Sequence, residues 1–180
     1  MSRNLAKLPV KELAAVIGSK LKEHQIDAVL TGGAVVTIYS ENRYLSADLD
    51  FVTLAAEYRG KMIKAAMEEL GFRLKTEGFF EHPDCPFIVE FIPPPLTVGR
   101  EPVKAVRTIR TKGGSFRILS PTDCVKDRLA AYYHWHDPQS LEQAVMVAKR
   151  RKIDLKEIKR WSKNEGQLKK YKDFQMRVIK

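Results

Sequence analysis

The sequence predicts an α+β fold: a mixed sheet with helices, followed by a purely helical C-terminal part. Three observations carry that reading. Apolar residues recur at helical spacing near the N-terminus, the period drops to two from about Phe72 to Leu119, and the segments after Ser120 open with helix caps. The length of 180 residues, 44% hydrophobic and 30% charged, suits one domain or one domain with a helical appendage. The predicted division falls between residues 1–119 and 120–180.

Val10 to His24 carries Leu13, Val16, Ile17 and Leu21 on one side, an amphipathic first helix. Ala28 to Thr31 is a short apolar run stopped by Gly32-Gly33, a buried strand entering a tight turn, and Ala34 to Tyr39 follows as a short helix. Asp48 to Thr53 alternates as a strand does. Met62, Ile63, Ala66, Met67 and Leu70 support a helix over Glu57–Leu70, with Gly71 as its stop. Phe72–Thr76, Phe79–Glu81 and Phe87–Ile92 are strands, the last ended by three prolines, and Pro102–Leu119 is a hairpin turning at Gly113-Gly114. Ser120-Pro121, Asp137-Pro138 and the Asp154/Glu157 capping box each open a helix, and Gly166 closes the third.

No apolar run is long enough to span a bilayer, the N-terminus lacks the apolar core of a signal peptide, and Cys85 and Cys124 make no disulfide framework or metal-ligand spacing. A soluble, cytoplasmic protein with no membrane partner is expected. The charge is uneven. Of 32 basic and 22 acidic residues, 13 basic and 4 acidic lie between Lys149 and Lys180, so a nearly neutral body carries a cationic end. A polyanion such as RNA fits that asymmetry, and so does a solvated helical face.

Asp48 and Asp50 stand two apart on a strand, so both carboxylates project from one face, about 7 Å apart along the chain. Two such acids repel unless a cation lies between them, and hard cations take oxygen ligands. Taken alone, the pair also reads as two acids on a solvent-facing strand. Gly32-Gly33 lets backbone N–H groups approach a phosphate, although a bare Gly-Gly is commonly just a turn, and no Walker lysine follows it. Glu90 interrupts the apolar run Phe87–Ile92, where an unpaired carboxylate is unfavourable. If that strand lies beside the one bearing Asp48 and Asp50, three carboxylates converge.

Thr31-Gly32-Gly33, Ser46-Ala47-Asp48-Leu49-Asp50-Phe51-Val52 and Val89-Glu90-Phe91 together resemble the nucleotidyltransferase fold of the DNA polymerase beta superfamily. Within it, the chain looks most like bacterial minimal nucleotidyltransferases and abortive-infection nucleotidyltransferase toxins. The resemblance runs from Thr31 to about Ala144 and includes Ser120-Pro121-Thr122-Asp123. It implies that Asp48, Asp50 and Glu90 bind two magnesium ions, with manganese as the alternative, and that Thr31, Gly32, Gly33 and Ser46 hold a nucleoside triphosphate. Lys126 and Asp137 match the group's later lysine and aspartate near the nucleotide. The chain departs from the pattern in four ways: fourteen residues separate Gly33 from Asp48, Tyr44 replaces an arginine, the third acid is glutamate, and Lys126 and Asp137 are close together.

The implied reaction moves a nucleotide to a hydroxyl of RNA, such as tRNA, or of a protein, within a toxin–antitoxin or phage-defence system with an antitoxin or toxin partner. Two alternatives are carried: a catalytically inert relative that binds RNA or a partner, and an enzyme modifying an aminoglycoside-like cation. Arg100, Lys104, Arg107, Arg110, Lys112 and Arg117 place a basic ribbon on the predicted hairpin, either a groove for RNA or merely a charged surface. His134-Trp135-His136 lacks zinc-ligand spacing, and Tyr132, Tyr133 and Trp135 read as core rather than a stacking platform.

Overall fold

The computed structural model describes residues 5–54 and 60–179. A single 3-10 turn (Leu5–Lys7) leads into α1 (Val10–Glu23), whose Leu13, Ile17 and Leu21 are buried as the helical period requires. β1 (Ala28–Thr31) passes directly into α2 (Gly32–Tyr39). The helix expected from Ala34 therefore starts two residues earlier. Neither glycine has a Cβ to keep it out of the first turn. β2 (Asp48–Thr53) and α3 (Gly60–Glu69) follow; the predicted first residues of that helix, Glu57 to Arg59, lie outside the described residues.

β3 (Arg73–Thr76), β4 (Phe79–His82) and β5 (Cys85–Ile92) form a meander. The next strands differ from expectation. Pro102 belongs to β7 (Glu101–Pro102), which pairs with β6 (Thr97–Val98) in a separate two-stranded ladder. The hairpin proper is β8 (Val106–Thr111) and β9 (Gly114–Leu119). Its turn is fixed to α1 by Glu12, whose carboxylate accepts from Thr111 Oγ1 at 2.8 Å and Gly113 N–H at 3.1 Å.

The main sheet has seven strands in the order β3-β4-β5-β2-β1-β9-β8. β2 runs antiparallel to β1 and parallel to β5, and β1 runs parallel to β9. Leu49, Phe51, Val89, Phe91, Phe116 and Ile118 point to one face and are buried, with α1 packed on β9. The alternate residues Asp48, Asp50 and Glu90 occupy the opposite face and are only partly covered.

After Leu119 the described chain is helical: α4 (Pro121–Trp135), α5 (Pro138–Ala148), α6 (Leu155–Asn164) and α7 (Leu168–Ile179). The first three open as predicted, on Ser120, Asp137 and Asp154, whose side chains accept from Asp123, Gln139 and Glu157 N–H groups. α4 packs on α2 and on the β6–β7 ladder. Trp161 is fully buried, stacks on Tyr133 with ring centroids 5.6 Å apart, and donates to Val98 O at 3.2 Å. These contacts fasten α4 and α6 to each other and to the β6–β7 ladder. The protein is α+β, with a mixed sheet and a C-terminal helical region, and no described helix is long and apolar enough to cross a membrane.

Candidate active site

The register of β2 against β5 sets Asp48 opposite Ile88 and Asp50 opposite Glu90. In a parallel pair, residues in register point to the same face, so the condition set by the sequence is met: all three carboxylates project from one side of adjacent strands. Thr31 stands opposite Asp50 on the other neighbour, β1, and its hydroxyl donates to the Asp50 carbonyl at 3.3 Å.

The glycine turn lies directly against this group. Gly32 has φ +68°, and a Cβ there would stand 2.1 Å from Asp50 Oδ2. A Cβ on Gly33 would stand 2.5 Å from Ser46 Oγ. Ser46 Oγ donates to Asp48 Oδ1 at 2.7 Å. A short relay fixes the geometry from behind: Ser46 N–H donates to Thr37 Oγ1 at 2.9 Å, and Thr37 Oγ1 donates to Gly33 O at 3.3 Å. Thr37 thus joins the first turn of α2 to the loop before β2. It carried no sequence signal, being one buried hydroxyl in an apolar helix.

The electrostatics follow from the crowding of acids. Burial, with Asp48 and Glu90 adding to it, raises the Asp50 carboxyl to about 7. Glu90 is also raised, first by burial and then by Asp48. Among the described residues, no three His, Cys, Asp or Glu side chains are grouped closely enough to hold a metal ion. The carboxylates share a face and a register but stand apart on it.

α4 delivers a cation to this region, though not through the residue selected from the sequence. Arg128 opposes the upward shift of Asp50. Its guanidinium is held by Asp127 Oδ2, at 3.0 Å from Nε, and by Gln143 Oε1 at 3.4 Å. Lys126 lies two residues away on the helix and serves another face. Only 7% exposed, its ammonium pairs with Asp123 at 3.0 Å and Glu157 at 3.2 Å and lies 6.0 Å from the Trp161 ring centroid. Asp137 caps α5, accepting from Gln139 N–H at 2.9 Å and Ser140 Oγ at 2.6 Å, and these bonds hold its carboxyl below the usual range, with Arg128 contributing. The structure therefore gathers Thr31, Gly32, Gly33, Ser46, Asp48, Asp50 and Glu90, and puts Lys126 in an ion-pair network and Asp137 at a helix start. Tyr133 is core, as read from the sequence, whereas Trp135 is 81% exposed and is not.

No protein-family model matches the sequence, and no curated protein matches it. Solved structures do. An antigenic nucleotidyltransferase-like protein from Paracoccidioides brasiliensis superposes with a TM-score of 0.59 at 14% identity, over 77% of this chain and 75% of that one. The antibiotic-resistance factor ANT(2'')-Ia superposes with a TM-score of 0.50 at 16% identity, over 77% of this chain and 82% of that one. The same factor in complex with adenylyl-2''-tobramycin gives 0.50 at 14% identity, over 77% and 87%. At such identities the likeness is one of fold, and the fold this chain shares is that of the nucleotidyltransferases.

Proposed function

We propose that this chain is a metal-dependent nucleotidyltransferase that moves a nucleotide from a nucleoside triphosphate to an acceptor hydroxyl on RNA or a protein. The observation that carries the reading is the register that sets Asp50 beside Glu90, with Gly32 against Asp50 and Gly33 against Ser46. The donor set suits hard cations, being three carboxylates without a nitrogen or sulfur ligand among them. Drawn closer than they stand here, Asp48, Asp50 and Glu90 would hold two magnesium ions, or manganese, which would supply charge stabilisation for the transfer.

The chain's own groups account for the remaining steps. N–H groups at the start of α2 hold the triphosphate, joined by the Thr31 and Ser46 hydroxyls as these turn from Asp50 O and Asp48 Oδ1 to the phosphate. Glu90 takes the proton of the acceptor hydroxyl as its oxygen bonds to the α-phosphorus. The bond from that phosphorus to the bridging oxygen breaks, and pyrophosphate leaves with the electron pair. Positioning and fixed charge supply most of the acceleration in such transfers.

Calorimetry with each of the four nucleoside triphosphates, with and without magnesium, tests the reading. Wild type is expected to bind at least one of them only with magnesium, and Asp48→Asn/Asp50→Asn to lose that binding while remaining folded. A folded wild type that binds none at millimolar nucleotide would overturn it in favour of an inert, partner-binding protein.

The ANT(2'')-Ia likeness favours a second acceptor class, a small polyhydroxylated cation, and a cavity of about 610 Å³ includes Glu101, Asp123, Asp154 and Glu157 in its lining. Lys104, Lys126 and Arg160 line the same cavity and weigh against a cationic guest. Adenylylation of tobramycin by the purified protein would establish that class.

A further inference from the structure

The excess charge of the sequence lies in the C-terminal segment, and only part of it is paired there: among the described residues Lys149, Lys152, Lys156, Lys159, Lys163, Lys169 and Lys172 are exposed and form no ion pair. Arg160 pairs with Glu101 and Glu157, Arg151 with Glu41, and Arg177 with Glu142, while Lys170 donates to the carbonyls of Tyr132 and Tyr133. The cations of the β8–β9 ribbon are open as well. Among the described residues, Lys104, Arg107, Arg110 and Lys112 are exposed and form no ion pair, and Arg117 has a single 3.5 Å contact to the exposed Asp27.

Register says which of these cations share a face with the carboxylates. Arg117 stands opposite Val29, which stands opposite Val52, and Val52 has the same parity on β2 as Asp50. Arg110 stands opposite Ser115, so it falls on that same face of the sheet. β9 lies two strands from β2 and three from β5, and Arg117 is level with Val52, so it stands about 10 Å across and about 7 Å along the sheet from Asp50, and about 14 Å across from Glu90, at the usual spacings. Beside it is a cavity of about 470 Å³, lined by Leu54, Pro94, Leu96, Val106 and the cations Lys104 and Arg117, with no carboxylate in its lining. Apolar walls and flanking cations without acids match a nucleobase and its phosphates.

We infer that this cavity and the open face of β8–β9 dock a single-stranded RNA acceptor, with one base in the cavity and the adjoining phosphates on Lys104, Arg117 and Arg110. The inference rests on the proposed transfer reaction, whose acceptor it names. The strand crosses the sheet from the basic ribbon and delivers its hydroxyl toward Glu90. The docking surface is the ribbon, which belongs to the same sheet as the carboxylates, and not the lysines of the C-terminal segment.

The test is fluorescence anisotropy with a labelled single-stranded oligoribonucleotide of about 12 nucleotides, without magnesium or nucleotide, as salt is raised from about 50 mM. Lys104→Glu/Arg110→Glu should bind at least about tenfold more weakly, with the log–log salt slope shallower by about 1.4. Lys159→Glu/Lys163→Glu makes the same charge change on exposed α6 positions and should stay within about threefold of wild type. Asp48→Asn/Asp50→Asn should bind the RNA at least as well as wild type, so loss of nucleotide binding and loss of RNA binding are separable. Absence of RNA binding by wild type, ribbon variants that match wild type, or an equal loss in the α6 variant would each overturn the inference. A ribbon double mutant that fails to fold by circular dichroism is replaced by Arg110→Ala alone, for which a loss of about threefold is expected and none overturns it.

Discussion

Gly32 must be glycine twice over. Its φ of +68° is one that side chains rarely tolerate, and a Cβ would be 2.1 Å from the carboxylate oxygen of Asp50. Gly32→Ala is expected to destabilise the protein by about 1–3 kcal/mol and to abolish magnesium-dependent nucleotide binding, read by urea denaturation and calorimetry. Unchanged nucleotide affinity would show that the turn does not form part of the site. Lys126 is a different case, because its nearly buried ammonium already has Asp123 and Glu157 as partners. If it serves phosphate, Lys126→Gln weakens nucleoside triphosphate binding more than tenfold and leaves nucleoside monophosphate binding alone. If it serves only the α4–α6 contact, the variant lowers the melting temperature and leaves both affinities unchanged. The carboxylates were legible because strand parity is visible in sequence, whereas the part taken by Arg128 was not. Which face of α4 meets the sheet is decided by tertiary packing, and Lys126 and Arg128 look alike on that count until the helix is docked.

At the scale of elements, the β6–β7 ladder is the piece that sequence patterning missed. Two-residue strands show no periodicity, so the segment merged with the hairpin that follows. It is held from outside, by Trp161 at Val98 and by Arg160 and Asn164 at Glu101, and those partners lie some sixty residues away in sequence. The strand order is equally silent in sequence: neighbours β1 and β9 are separated in the chain by β2 to β8, and only packing joins them. The Glu101 contact is testable by pH. Bonds from Arg160 and Asn164 hold the Glu101 carboxyl at about 2, below its ordinary 4.5. A depressed carboxylate stabilises the fold fully above its unfolded value, and the contribution fades as pH falls from about 4.5 to about 2. Glu101→Gln should therefore melt below wild type at pH 7, by a small margin because the pair is solvent-exposed, and the two curves should converge near pH 2. A difference that persists unchanged at pH 2 would assign the effect to packing instead of charge.

For the molecule as a whole, the question is whether the sheet and the helices after Leu119 are separate folding units, as the change in sequence pattern suggests. The contacts argue for one unit. Tyr39 Oη donates to Leu119 O at 2.7 Å beneath α4, Arg100 N–H donates to Glu165 at 2.9 Å, and α2 packs against both α4 and α5. The side chains of Leu129, Tyr133, Leu141, Ile158 and Trp161 are buried and belong to one continuous core with those of the sheet. Each contributes on the order of 1.5–3 kcal/mol when fully buried, so removing five of them is comparable to the total stability of about 5–15 kcal/mol usual for a domain. Residues 1–119 expressed alone are thus expected to lack cooperative thermal unfolding and dispersed amide resonances, while the full chain unfolds in one transition by circular dichroism and tryptophan fluorescence. The two tryptophans, Trp135 and Trp161, both lie beyond Leu119, so coincidence of the fluorescence and circular dichroism curves reports directly on coupling between the helices and the sheet. A fragment 1–119 with a sharp melt and native-like spectra would mean that the carboxylate face is built by the sheet alone and that α4 to α7 are an appendage to it.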